Sequence, residues 1–191
     1  MNADAWFASL RAGHVFVSTG PLVELVVNGR MPGDEVTVSA GGVTVDVAAT
    51  VRSMTPLDKV LLVFNGTIVE EVPLSADRKH AELKKSLRVT QSGWYHLRAE
   101  GRPAERFPLD ADYAQAFTNP IWVTVGRQPI RNRAAAEYGV RWVDKLEQMA
   151  TALSLWRSAA EKAHVLGVFD EARQVYRRLA SEATPTAANQ P

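Results

Sequence analysis

Hydrophobic and polar positions along this chain change their period twice. Residues 4–11 carry Trp6, Phe7 and Leu10 at helical spacing, and Gly13 is placed to stop the short helix they predict. From His14 the period falls to two. Short β-rich runs at 14–18 and 22–27 are split by Gly20-Pro21, and Asn28-Gly29 and Pro32-Gly33 mark further turns. The clearest strand spans 43–51, where Val43, Val45, Val47, Ala49 and Val51 face one way and Thr44, Asp46, Ala48 and Thr50 the other. Runs at 59–64 and 67–72 flank Asn65-Gly66, the pair that best tolerates the positive φ angles of a type I′ turn, and so predict a hairpin. Further strands are expected at 83–89, 93–99 and 120–125.

Short strands that alternate throughout, each with one wet face, predict a mainly β fold: an antiparallel, immunoglobulin-like β-sandwich. From about Ala134 glycine and proline thin out and the period becomes 3.6. Tyr138, Trp142, Leu146, Met149 and Leu153 form the apolar stripe of one helix. Ser158 and Glu161 form a capping box for a second, whose inner face is expected to be Ala163, Leu166, Phe169, Tyr176 and Leu179. The expected organisation is a linker helix at 1–13, a β-sandwich at 14–130, a helical hairpin packed on it at 131–183, and a disordered tail at 184–191.

Composition narrows the partners. The 191 residues include 22 basic and 21 acidic side chains, a net charge of +1, so no global field draws in nucleic acid or an anionic membrane, and neither is an expected partner. Without cysteine there is no disulfide framework, thiolate metal site or cysteine nucleophile. The longest apolar run, Val60 to Phe64, is far short of a membrane-spanning helix. The opening residues lack the basic and apolar regions of a signal peptide and begin on an amphipathic turn, which leads us to expect a segment of a larger protein.

Candidate chemistry is sparse. The histidines at 14, 80, 96 and 164 fall on different segments, and no pair has metal-ligand spacing. A long-range site from His14, His96 and Asp46, with Asp112, is one reading; surface or strand-edge histidines are the simpler one. Asp110-Ala111-Asp112 opens like a calcium loop but lacks its glycine and closing glutamate, which favours a solvated loop. Gly13, Gly20, Gly29 and Gly33 fit turns rather than a phosphate cradle. Trp94, Tyr95, Phe117 and Trp122 suggest a platform for stacking on sugar rings, with His96 nearby, although Trp94 and Tyr95 must point to opposite faces and core packing is the plainer account. Arg102, Arg106, Arg127, Arg131 and Arg133 form a modest basic cluster of the kind solvated loops carry.

Several stretches together resemble the C-terminal region of CehA/McbA-type metallohydrolases, members of the polymerase and histidinol phosphatase (PHP) superfamily. They are Trp6-Phe7-Ala8-Ser9-Leu10-Arg11-Ala12-Gly13-His14-Val15-Phe16-Val17, Thr19-Gly20-Pro21-Leu22, Val27-Asn28-Gly29 and Pro32-Gly33-Asp34. Ser92-Gly93-Trp94-Tyr95, Thr118-Asn119-Pro120-Ile121-Trp122-Val123 and the Ser158 to Tyr176 region follow. The resemblance spans roughly residues 4–180 and implies that catalysis and its divalent metal (zinc, manganese or iron) belong to an upstream domain. No residue of this chain matches that family's metal ligands.

The expected role is therefore a non-catalytic accessory domain with no cofactor of its own. Its expected partner is the upstream catalytic domain of the same polypeptide, with a second copy of the chain as another. The alternatives are a carbohydrate- or protein-binding module using Trp94, Trp122, Phe117 and His96, and a fragment with its own weak hydrolase site.

Overall fold

Asn2 starts the first helix, α1 (Ala3–Ala12), by accepting the Asp4 N–H at 2.9 Å, and Gly13 ends it at φ 76°, returning its N–H to Leu10. The computed structural model describes residues 2–102, 114–153 and 155–183. The chain divides into two compact units, Met1–Ile130 and Arg131–Pro191.

The first unit is mainly β. One sheet takes β1 (Phe16–Ser18), β3 (Glu35–Val38), β5 (Leu57–Phe64), β6 (Thr67–Glu71), β8 (Gly93–Gly101), β9 (Gln115–Thr118) and β10 (Ile121–Val125). The other takes β2 (Leu22–Val27), β4 (Val43–Arg52) and β7 (His80–Val89), with β4 in the middle. Alternation drives the arrangement. Val45, Val47, Ala49 and Val51 of β4 join Val23, Leu25 and Val27 of β2, and meet Leu62, Leu97, Ile121 and Val123 of the larger sheet in one core cluster. Between β5 and β6, Asn65 and Gly66 take φ values of 50° and 82°, the turn expected there. β5 is dry on both faces, since Leu61 and Val63 are buried as well as Val60 and Leu62.

Two expectations need correction. The β structure is not purely antiparallel: β3 runs parallel to β10, from Trp122 opposite Glu35 to Val125 opposite Val38, so the larger sheet is mixed. Alternation has the same period in either direction, and the chain leaves the smaller sheet after β2 so that β3 joins a strand far away in sequence, and no hairpin dictates its sense. The second correction concerns the helical unit. There α2 (Arg133–Leu153) packs on α3 (Ala159–Glu182) and buries Ala136, Gly139 and Val143, with the Tyr176 ring lying on Gly139, where a Cβ would come within 2.5 Å of its Cδ1. Small residues let the axes approach closely, and the larger stripe turns outward. Of the inner face expected on α3, Tyr176 packs on Gly139 and Leu166 and Phe169 are half-buried, but Ala163 and Leu179 are exposed.

α3 starts as expected: Ser158 Oγ accepts the Glu161 N–H at 3.1 Å, and the Glu161 carboxylate accepts the Arg157 N–H at 2.7 Å. Arg173, only 13% exposed, donates to Asp144 at 2.7 Å and also holds Glu147 and Asp170.

Candidate binding face

Along β8, Tyr95, Leu97 and Ala99 point into the core, which leaves Trp94, His96, Arg98 and Glu100 on the outer face of the larger sheet. β10 does the same, burying Ile121, Val123 and Val125 and turning Trp122 and Thr124 outward. The antiparallel register sets Trp122 directly opposite Trp94, and the His96 ring lies 5.4 Å from the Trp94 ring. Trp94 and Trp122 are thus cross-strand neighbours on one face, and His96 is in ring contact with Trp94. Phe117 shares the face but stands apart: it pairs with Arg98, four residues along β8 from Trp94 and so roughly 13 Å away, and its other neighbour is Val17.

Trp122 and Phe117 are 39% and 41% exposed, and Trp94 and His96 are half-buried. Core packing therefore accounts for Tyr95 and not for these four. The rim is charged and internally paired: Glu100 accepts from Lys59 at 3.0 Å and from Arg98. A flat apolar surface with a polar rim can stack on a planar or pyranose ring.

Burial first, and the Arg98 charge second, push the His96 imidazole below its ordinary value of 6.5. Between the folded and unfolded values the unfolded chain binds the extra proton, so this residue's contribution to stability falls as pH drops below about 6.5. Carbon-detected NMR titration should place the His96 midpoint below 6.5. Arg98→Met should recover only the smaller part of the shift; full recovery would mean that charge, not burial, dominates.

A second cluster forms where Asn119-Pro120 interrupts the line of chain from β9 into β10. Proline has no N–H to offer a ladder, and the gap is filled from two other segments. Gly33 N–H donates to the Pro120 carbonyl at 2.8 Å, and the Asn119 side-chain amide donates to the Gly13 carbonyl at 3.1 Å. His14 Nε2 lies 3.1 Å from Asp34 Oδ1. Asp34 also accepts the Met31 N–H at 3.1 Å, and that bond, then His14, holds its carboxyl below the usual range. Stability from this carboxylate is present above about pH 4 and is lost as pH falls through the lowered folded value. Beside the junction lies an open groove of about 330 Å³, lined by His14, Phe16, Leu25, Met31, Pro32 and Thr118 among others.

Of the dispersed hydrolase set, the described members His14, His96 and Asp46 are not brought together. His14 sits at this junction and His96 on the outer face of the larger sheet. Asp46 faces outward from the smaller sheet, where it accepts from Ser86 Oγ at 2.6 Å. Asp110, Asp112 and Arg106 lie outside the described residues, as does the tail at 184–191. Among the described residues no three His, Asp or Glu side chains gather as a metal site. Of the arginine cluster, Arg102 pairs with Asp58, Arg131 with Glu182 and Arg133 with Glu137. Comparison of the chain with protein-family models, with curated proteins and with solved structures gave no match.

Sequence reasoning missed the pairing of Trp94 with Trp122 and the meeting of Gly13, Gly33 and Asn119. Asn-Pro after a β run was the one local sign of a strand break.

Proposed function

We propose that this chain is a non-catalytic accessory domain of a larger PHP-type metal-dependent hydrolase, its two sheets forming an immunoglobulin-like sandwich beside the catalytic domain. The observation that carries this reading is convergence. Three of the stretches that resemble CehA/McbA-type enzymes, at 6–17, 32–34 and 118–123, are distant in sequence yet meet at the junction that follows α1. Immediately before that junction, α1 holds Trp6, Phe7 and Leu10 46–54% exposed, an apolar face suited to packing against an upstream domain. In this reading the divalent metal and the reacting groups belong to that domain.

The test compares this chain with a version extended to include the coding region upstream. Stoichiometric zinc, manganese or iron and turnover of phosphoester or carboxylester substrates are expected only in the longer protein. Metal and turnover in this chain alone, or an upstream region that encodes no metallohydrolase, would overturn the proposal.

The register of Trp94 against Trp122 favours a second reading, a module that binds a carbohydrate ring on the outer face. Stacking contributes about 0.5–1.5 kcal/mol per aromatic contact, so Trp122→Ala should weaken glycan binding several-fold without shifting the unfolding transition. Glycan arrays on which wild type and variant are equally silent would count against it.

A further inference from the structure

The apolar stripe of α2 is exposed: Tyr138 59%, Trp142 53%, Leu146 37%, Met149 49% and Leu153 65%. On α3, Val168, Val175 and Leu179 are 50%, 42% and 45% exposed. At 100° per residue each set lies about a quarter turn from the residues that join the two helices. Arg173 decides whether the two sets share a side. Its bonds to Asp144 and Glu147 mark one flank of the antiparallel pair as polar, and both apolar sets fall on the opposite flank. The hairpin therefore has a polar side and an apolar side two helices wide, which ends on α3 at His164 and Glu182.

These eight side chains present on the order of 800 Å² of largely apolar surface, beyond the roughly 300–600 Å² of the largest patch on an ordinary monomer. The figure matches the roughly 800 Å² that each partner buries in a stable interface. We propose that this face is the interface of a homodimer, in which a second copy docks its own hairpin across a two-fold axis to make a four-helix bundle. A two-helix face with antiparallel axes is its own complement under such an axis. The steps from Trp142 to Leu146, Met149 and Leu153 are four, three and four residues, the spacing of side chains that interdigitate between packed helices.

Because the chain contains no cysteine, one introduced thiol reports the contact cleanly. Light scattering on the full chain at micromolar concentration should give twice the 21.0 kDa chain mass. Trp142→Glu should reduce this to the single mass while helical circular dichroism is retained. Met149→Cys should form an interchain disulfide under mild oxidation, whereas Lys85→Cys, on the β unit, should not. A monomer at 100 μM, or a dimer that survives Trp142→Glu, overturns the proposal.

Discussion

Gly33→Ala is expected to destabilise the β unit by about 3–5 kcal/mol, a fall in thermal midpoint on the order of 10–20 °C. Two costs combine. Gly33 sits at φ 96°, where a side chain is strained whatever the space around it. A Cβ there would also come within 2.2 Å of the Ala12 carbonyl oxygen and 2.7 Å of the Gly13 carbonyl carbon. Both are backbone atoms at the end of α1, so neither can swing aside as a side chain would. Relief requires moving the exit of α1 away from Asn119-Pro120, breaking the Gly33 bond to Pro120 and parting His14 from Asp34. Gly29→Ala is the control. Gly29 has a similar φ of 75° and nothing within 4 Å of the added carbon, so it should cost only about 1 kcal/mol. Urea unfolding of both variants checks the pair; equal losses would show that backbone strain, not the close approach, sets the cost.

How far such features can be read in advance depends on how local their cause is. β4 was legible because alternate valines must leave water on one side, and the turn at Asn65-Gly66 because two adjacent residues carry its geometry. Ser158 with Glu161 is likewise a signal within one helical turn. β3 and β9 were missed because Glu35–Val38 and Gln115–Thr118 are four residues each, too short for alternation to stand out. The sense of β3 was illegible for another reason: its partner, β10, lies more than eighty residues away. In the helical unit a size rule misled. The large stripe draws the eye, but the buried positions of α2 are the smaller Ala136, Gly139 and Val143, and Gly139 leaves room for the Tyr176 ring. Of the candidate binding face, residue types were visible and geometry was not. Whether Trp94 meets Trp122 depends on register, and a shift of one residue would send one of them into the core.

Leu97→Ala, on the same strand as that face, is expected to cost about 3–4 kcal/mol, whereas Trp94→Ala costs about 1 kcal/mol. A separation of three residues, an odd number along a strand, is enough to reverse the environment. Leu97 is fully buried in the cluster shared by the two sheets, and its N–H donates to the buried Thr118 hydroxyl at 3.1 Å, so the backbone there cannot easily shift to fill a cavity. Removing its side chain loses both the transfer free energy and the contacts across the void. Trp94 lies on the outer face, and truncating it mainly exposes neighbouring rings that are already partly wet. Denaturant midpoints with unchanged slopes would measure both losses as stability rather than altered compactness. The comparison also bears on function: if Trp94→Ala proved as costly as Leu97→Ala, the aromatic cluster would be part of what holds the sheet together. A small loss would leave Trp94 and Trp122 available for the proposed stacking on a ring.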